Sequence, residues 1–322
     1  GEDARARLLA LTQRPQDWSA AVSSWRTIAA PHLTVVDEAE APDANDQFMM
    51  LQSLLGAWPI ELLDGPDNAE AAKAFAARME AYLVKSLREA KLNTSWVNPH
   101  EAYEEAAVSL LRRLTEPGSA FLRTFAPLAR RLALLGMTVG LARTVLKCTL
   151  PGVPDIYQGT EFWDLSLVDP DNRRPVDFEA RRQALNLEPG ADHLLSHWRN
   201  GHLKQRLLAR ILRDRASAPS LYAVGDYHPL EARGDRASHV LAFRRTAGQA
   251  NLVVAVGRLL AGAMPGDQPR CDAEFWGSTG LPLPKGRWRD IASGRELDAA
   301  GGFHPVSELF HFAPVTVLRS MA

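Results

Sequence analysis

Residues of the kind that bind sugars are concentrated in two short segments of this sequence. In the first, KLNTSWVNPHEAYE at residues 91–104, Lys91 and Trp96 lie in a polar loop that precedes a helix. An indole face packs against the C–H surface of a sugar ring, and an ammonium group donates hydrogen bonds to its hydroxyls. This pattern indicates a carbohydrate site. The alternative is that Trp96 packs on the following helix as a hydrophobic staple.

The second segment is PGVPDIYQGTEFWDLSLVDPDNRRP at residues 151–175. We expect Val153 to Gly159 to form a buried strand, with a charged loop beyond its C-terminal end. Planar Arg and Asp groups make directional hydrogen bonds to vicinal hydroxyls. We expect two or three of the loop residues to face a cleft and the others to pair with each other or with Glu161; these residues are Asp169, Asn172, Arg173 and Arg174. The alternative is a surface loop that is tied by ion pairs.

Composition limits the classes of partner. The chain has 322 residues, 46% of them hydrophobic, and a net charge of −1, so no overall field attracts nucleic acid or anionic lipid. No apolar run in the sequence reaches membrane-spanning length. Two cysteines, Cys148 and Cys271, are too few for a disulfide framework or a metal cage and suit a reducing cytosol. We therefore expect a cytoplasmic protein with no metal, no cofactor, and neither nucleic acid nor membrane as a partner.

The pattern of apolar residues predicts a mainly helical region over residues 1–150. One helix start is marked by Asn98 as the N-cap, Pro99 at the first helical position and Glu101 completing a capping box. From residue 236 the segments become short, β-branched and separated by turns, which predicts an antiparallel β domain. The predicted division is 1–150, 151–235 and 236–322.

Three segments carry a resemblance to a known family. GVPDIYQGTE resembles the Gly-x-Pro-x-x-Tyr-x-Gly-x-Glu motif at the eighth barrel strand of the α-amylase superfamily, glycoside hydrolase family 13. Three longer segments together resemble the maltooligosyl trehalose synthase family: PDANDQFMMLQSLLGAWP, TSWVNPHEAYE and PGVPDIYQGTEFWDLSLVDPDNRRPVDF. The implied fold is mixed α and β. It is the C-terminal part of a (β/α)₈ barrel enzyme: a helical region after strand seven, the last barrel strand with its rim loop and helix, and an antiparallel β domain.

The resemblance implies an isomerase that converts the reducing-end α-1,4 link of a malto-oligosaccharide to an α,α-1,1 trehalose link by retaining intramolecular transglycosylation. It places the catalytic carboxylates upstream of this chain, so the chain is expected to be inactive alone, with no catalytic residue. The implied partners are a malto-oligosaccharide and the N-terminal barrel half of the same enzyme. The implied substrate-binding residues are Lys91, Trp96, Tyr157, Asp169, Asn172, Arg173 and Arg174. The alternatives are another α-amylase-like transglycosylase or hydrolase, or a non-catalytic glycan-binding scaffold.

Overall fold

A computed structural model describes residues 1–65, 68–169 and 171–321 of the chain. Helices fill the first half and antiparallel sheets the last third, which confirms the mixed α and β class. The chain divides into two compact units, one formed by residues 1–136 and 164–175 and the other by 137–163 and 176–322. The division at 150 and 235 that the sequence suggests stays a prediction.

The first unit is built from helices around an aromatic core. Trp58 lies 5.0 Å from Phe125 and Trp25 lies 5.2 Å from Phe121, measured between ring centres, and all four are almost fully buried. Edge-to-face aromatic pairs of this kind add to the stabilisation from buried area. Its helices are α1 (Glu2–Leu11), α2 (Pro15–Ala29), α3 (Ala44–Ala57), α4 (Ala69–Ala90), α5 (Glu101–Thr115) and the first part of α6 (Ala120–Thr149).

A short β-hairpin interrupts the helices of this unit, within the region that the sequence predicts to be mainly helical. Strands β1 (Thr34–Val36) and β2 (Ala39–Ala41) pair antiparallel, with Val36 opposite Ala39. The two turn residues, Asp37 and Glu38, have φ of 48° and 65°. Such left-handed conformations form the tight hairpin turns that match strand twist.

Helix α6 is the longest element of the structure and contains Pro127 near its start. By length and composition alone it could cross a membrane, although the sequence suggested no apolar run of that length. In its most apolar window, 78% is buried inside the protein. That burial is typical of a core helix, and a single such helix is weak evidence for a membrane span.

The second unit joins four short to medium helices to antiparallel sheets. The helices are α7 (Phe178–Asn186), α8 (Ala191–Ser196), α9 (His202–Ser217) and α10 (Pro219–Ala223). The strands are β3 (Asp226–Leu230), β4 (Val240–Ala247), β5 (Ala250–Gly257), β6 (Gly280–Leu283), β7 (Gly286–Asp290), β8 (Glu296–Ala299), β9 (Gly302–Pro305) and β10 (Val315–Ser320), with the single-turn helix α11 (Val306–Leu309) before the last. The antiparallel β content that the sequence predicted is confirmed.

Six of these strands form one antiparallel sheet in the order β3-β4-β5-β10-β7-β8, and β6 pairs with β9 separately. The register of the β4–β5 hairpin runs from Val240 opposite Gly257 to Ala247 opposite Ala250. The central strand β5 is buried from Leu252 to Val256, without alternation. A continuous apolar run is typical of a strand that is covered on both faces.

A buried guanidinium ties the end of α6 to this sheet. Arg245 of β4 has no exposed surface and donates to the carbonyl oxygens of Thr149, Tyr222 and Gly225 at 3.0, 3.1 and 2.9 Å. These acceptors lie at or just beyond the C-terminal ends of α6 and α10, where the helix dipole is negative. The charge is therefore balanced by backbone dipoles.

Candidate functional site

The loop between α4 and α5 carries two of the predicted substrate-binding residues. Helix α4 ends at Ala90, and Lys91 follows in the left-handed conformation, with φ of 58° and its N–H bonded to the Leu87 carbonyl oxygen at 3.3 Å. This is a common way to end a helix. The Lys91 side chain is exposed, so its ammonium group is accessible to a ligand.

Arg88, near the end of α4, and Thr94 of the loop both bind Glu104 of helix α5. The Arg88 guanidinium donates two hydrogen bonds to the Glu104 carboxylate, at 2.8 and 2.7 Å, and Thr94 donates a third at 2.6 Å. The hydrogen bonds from Arg88 lower the pKa of Glu104, so this carboxylate stays ionised at neutral pH. A paired, planar Arg–carboxylate contact fixes the orientation of both groups.

Trp96 lies on the outer side of this pair. Its ring centre is 5.1 Å from the Arg88 guanidinium carbon, and 54% of its surface is exposed. A cation against an aromatic face is attracted to the ring quadrupole. The exposure argues against the staple alternative, because a staple would bury the indole on the helix.

The start of α5 differs from the sequence prediction. The helix begins at Glu101 and its N-cap is His100, which makes no side-chain capping bond. Asn98 and Pro99 therefore lie outside the helix, and the predicted capping box is wrong. At the end of the loop, the His100 N–H donates to the Thr94 hydroxyl at 2.9 Å, so Thr94 and not Asn98 is the side-chain acceptor before the helix.

A second polar layer lies beneath the loop. The buried Tyr103 hydroxyl donates to Asp46 at 2.6 Å and accepts from the side chain of Asn93 at 2.8 Å and from the N–H of Asp43 at 3.0 Å. The same Asn93 nitrogen lies 2.9 Å from an Asp43 oxygen and 3.0 Å from an Asp46 oxygen, so its two N–H groups are shared among three acceptors. Burial raises the pKa of Tyr103, which keeps the hydroxyl protonated as a donor. The loop is thereby held at its middle as well as at its ends.

These supporting residues were not singled out from the sequence. Arg88 and Glu104 lie on two different helices, and Asn93 and Tyr103 resemble any polar loop residue and any buried helix residue. The spacing of the acidic residues in PDAND gave the available signal, because Asp43 caps α3 by accepting from the Asp46 N–H at 2.8 Å.

The segment 169–174 is anchored by a residue that the sequence did not single out. Arg78 of α4 lies 3.1 Å from the buried Asp171 carboxylate and donates to the carbonyl oxygens of Ala57 and Leu165, both at 3.1 Å. Asp171 also accepts from the Leu167 N–H at 2.6 Å. The anchor therefore shapes the loop from below.

The predicted binding residues of this segment lie on its exposed side. Arg173 forms an ion pair with Asp169, and Arg174 donates to the Asp171 carbonyl oxygen at 3.1 Å. Asn172 is exposed and has no side-chain hydrogen bond within the described ranges. The Arg173–Asp169 pair fits the expectation that some of these residues pair with each other.

Glu161 pairs with a cation of helix α7. Its carboxylate is 3.2 Å from the Nε atom of Arg181, which also donates to the Gly159 carbonyl oxygen at 2.6 Å. Of the two kinds of pairing that the sequence left open for the loop, the described residues show the one within the loop, between Arg173 and Asp169.

Tyr157 belongs to the second compact unit, whereas the other predicted residues belong to the first. It is 52% exposed, and Val153 is 93% exposed. Residues 153–157 have no regular secondary structure and 158–160 form a turn, so the predicted buried strand at Val153 to Gly159 is wrong for this structure. A strand needs ladder partners, and none of the strands in the described residues pairs with this segment.

Two arginines hold this segment at its ends. Arg215 donates to the carbonyl oxygens of Cys148 and Gly152, at 3.1 and 2.5 Å, and Arg181 binds Gly159. Gly159 has φ of +87°, and a Cβ there would lie 2.9 Å from Val176, so the turn requires glycine.

Within the part of the chain that the structure describes, no hydrogen bond or ion pair joins Lys91 or Trp96 to the segment 169–174. No group of three or more His, Cys, Asp and Glu side chains among the described residues is arranged to hold a metal ion. What the site offers is an exposed indole, an ammonium and a set of exposed Arg, Asp and Asn groups. Such groups are able to form hydrogen bonds and stacking contacts with a polyhydroxyl ligand.

Comparison with known proteins gives relatives over the whole chain. Maltooligosyl trehalose synthases of two Mycobacterium tuberculosis strains, CDC 1551 and H37Rv, are 37% identical over 318 residues, which is 99% of this chain and 36% of each relative. The solved maltooligosyltrehalose synthase of Arthrobacter ramosus is 32% identical with a TM-score of 0.78, covering 100% of this chain and 37% of that one. The Sulfolobus tokodaii structure is 25% identical with a TM-score of 0.71, covering 99% and 37%. No family model matches.

The resemblance inferred from the three sequence segments is confirmed by these relatives. The chain spans about 36% of the length of the curated relatives that it matches.

Proposed function

We propose that this chain is the C-terminal portion of a maltooligosyl trehalose synthase, an isomerase that converts the reducing-end α-1,4 link of a malto-oligosaccharide to an α,α-1,1 link. The observation that carries the proposal is the continuous match of 318 residues at 37% identity to enzymes of that name. The match includes all three segments in which the resemblance was seen.

In this proposal the chain binds substrate and the missing portion performs the bond exchange. The upstream portion supplies a carboxylate nucleophile and an acid/base group, which cleave the α-1,4 bond with retention through a glycosyl-enzyme. The released glucose then attacks through its anomeric hydroxyl. Water must be kept from the glycosyl-enzyme until that attack occurs.

The loop of Lys91 and Trp96 suits the role of holding sugar at the edge of such a site. The indole stacks on a pyranose face, and the ammonium donates to hydroxyl oxygens. The Arg88–Glu104 pair supports the proposal because it fixes the indole before ligand binds, which lowers the entropy lost on binding. The remaining residues of the proposed binding set are Tyr157, Asp169, Asn172, Arg173 and Arg174.

We extend the proposal to the fold of the whole enzyme. The segment from Val153 to Gly159 completes the barrel as its last strand by pairing with strands from the N-terminal half, which is thus an obligatory partner. Its exposed apolar side chains and its two fixed ends support this role. The divisions 1–150, 151–235 and 236–322 belong to this proposal. So does a cytoplasmic location, which the two free, buried cysteines support.

The test compares the 322-residue chain with the full-length polypeptide that contains it. Each is incubated with maltopentaose, and products are separated for non-reducing oligosaccharides that end in trehalose. We expect product from the full-length enzyme only. In that enzyme, Lys91→Ala and Trp96→Ala lower kcat/KM about tenfold or more, consistent with a lost stacking or charged contact. The matched control, Val97→Ala, changes a 96% exposed residue of the same loop and leaves turnover intact.

The alternatives give different results. Shorter reducing sugars or altered α-1,4 chain lengths, without a trehalose end, indicate another α-amylase-like hydrolase or transglycosylase. Glycan binding without any product from the full-length polypeptide indicates a non-catalytic scaffold. Turnover by the separate 322-residue chain contradicts the assignment of the catalytic carboxylates to the upstream portion.

A further inference from the structure

Helix α2, strand β2 and the first turn of α3 enclose a groove of about 630 Å³ in the first compact unit. This volume is within the range of about 300–1,000 Å³ of small-molecule sites. None of the predicted substrate-binding residues lines it. The polar residues that line it include Ser23, Arg26, Thr27, Glu40 and Asp43.

Two charged groups of this groove have no protein partner. Arg26 and Glu40 are exposed, and neither makes a side-chain hydrogen bond or ion pair with any residue in the described ranges. The hydroxyl groups of Ser23 and Thr27 donate hydrogen bonds to carbonyl oxygens of their own helix, at 3.0 and 3.2 Å. Their oxygen atoms can therefore accept, while Arg26 donates and Glu40 accepts.

The charges in the groove select against most ligand classes. An anion would meet the carboxylates of Glu40 and Asp43 together with the single cation Arg26. A metal ion would find the two carboxylates of Glu40 and Asp43, fewer oxygen ligands than a hard cation requires, and no group of three or more His, Cys, Asp and Glu side chains among the described residues is arranged to hold one. An apolar ligand would remove water from the charged groups without replacing its hydrogen bonds. A neutral ligand with many hydroxyls can satisfy donors and acceptors alike.

The groove is joined to the loop of Lys91 and Trp96 through one residue. Asp43 lines the groove and also accepts from Asn93, which lies in that loop. A ligand in the groove therefore touches the same polar layer that positions the loop.

We propose that this groove binds a segment of α-glucan chain and is a second carbohydrate subsite, separate from the loop of Lys91 and Trp96. The inference rests on the proposed function for the identity of the sugar. Arg26 and Glu40 are the residues that recognise it, by hydrogen bonds to hydroxyls at the groove surface. A subsite of this kind extends the length of glucan held without touching the bond that reacts.

The test measures binding and turnover of maltotriose and maltoheptaose by the full-length enzyme. Arg26→Ala and Glu40→Gln weaken maltoheptaose binding, measured by titration calorimetry, about 3- to 10-fold, as expected for a lost hydrogen bond. Maltotriose binding changes less, and KM for maltoheptaose rises more than kcat falls. The matched control is Arg113→Ala, since Arg113 is an exposed cation that lies 3.7 Å from Glu116 and does not line the groove. Melting temperatures of all variants are compared to exclude unfolding.

The outcomes separate this inference from the proposed function. If the enzyme forms trehalose ends and both groove variants bind maltoheptaose as Arg113→Ala does, the groove is not a subsite and the proposed function stands. If no trehalose end forms but the groove variants still lose maltoheptaose affinity selectively, the subsite stands and the proposed function fails. Equal losses for maltotriose and maltoheptaose overturn the length-extending role.

Discussion

The guanidinium of Arg88 lies 5.1 Å from the ring centre of Trp96 while two of its five N–H groups donate to Glu104. One arginine thus supports an exposed indole and is itself held by a carboxylate of the next helix.

Arg88→Leu frees Trp96 without removing it. We expect the indole N–H signal of Trp96, assigned with Trp96→Phe, to move toward the position of a solvent-exposed tryptophan and to narrow. The reason is the loss of the cation against the ring. Arg112→Leu is the control, because Arg112 pairs with Glu80 on the same two helices and does not contact a ring. An unchanged Trp96 signal in Arg88→Leu contradicts the support role.

Glu104→Gln makes stability depend less on pH. The hydrogen bonds from Arg88 depress the pKa of Glu104 in the folded protein, so its contribution is fully present above the unfolded value of about 4.3 and is lost as pH falls through the folded pKa. We expect the melting temperature of the parent to exceed that of the variant at pH 7. We expect the difference between the two melting temperatures to disappear below about pH 4. A gap that is constant from pH 7 to pH 3 argues against the ionised pair.

Tyr103→Phe removes the hydroxyl that links Asp43, Asp46 and Asn93. We expect a loss of about 1–3 kcal/mol in the free energy of unfolding, because buried polar groups are left without a partner. Urea denaturation measures it. Tyr82→Phe is the control, since Tyr82 has no hydroxyl hydrogen bond to any described residue. Equal effects of the two substitutions would show that the polar layer contributes little.

Arg78→Met removes the closer and more buried of the two cations at the Asp171 carboxylate, and Arg174, 3.5 Å away, remains. We expect a loss of up to about 3 kcal/mol of stability, the low end of the range for buried pairs that lose one partner entirely. Arg112→Met, at an exposed ion pair, should cost far less. Substituting Asp171→Asn in the Arg78→Met background should recover part of the loss, and its failure to do so points away from the ion pair.

Arg173→Ala and Arg174→Ala test the exposed side of the segment 169–174. In the full-length enzyme we expect each to lose about 1–3 kcal/mol of transition-state binding, read from kcat/KM with maltopentaose. Thermal stability should fall much less, since both side chains are more than half exposed. If turnover is intact and only the melting temperature drops, the loop is structural.

Regular periodicity made parts of the fold predictable. The apolar stripe of α4, Phe75, Met79, Leu83 and Leu87, is buried as its spacing indicates. The β-branched runs after residue 236 form the antiparallel strands that the sequence predicts. Both patterns are visible in the sequence because burial of one helix face, or of a whole strand, requires apolar residues at a regular spacing or in a continuous run.

Three features of the structure were not predictable from the sequence, each for a physical reason. The hairpin at Thr34 to Ala41 turns through Asp37 and Glu38 in left-handed conformations, without the glycine that usually marks such turns. The sequence could name Lys91 and Trp96 as candidates, but it could not place Arg88 under the indole, because that contact depends on how two helices pack. The predicted strand at Val153 to Gly159 is not formed, because a strand requires a neighbouring strand for its hydrogen bonds. The residues of the segment itself do not show whether such a neighbour is present.

The segment from Val153 to Gly159, which forms no strand in this structure, is fixed at both ends. Its backbone is clamped by Arg215 at Gly152 and by Arg181 at Gly159, and the preceding helix end is locked by the buried Arg245 at Thr149. A free tail that joins a sheet loses the conformational entropy of every residue, about 1–2 kcal/mol each. A short span with both ends already fixed has fewer conformations to lose. Under the proposed function, a strand from the upstream portion pairs with a segment whose two ends are already fixed, so that much of the ordering cost is met by folding of this chain before assembly.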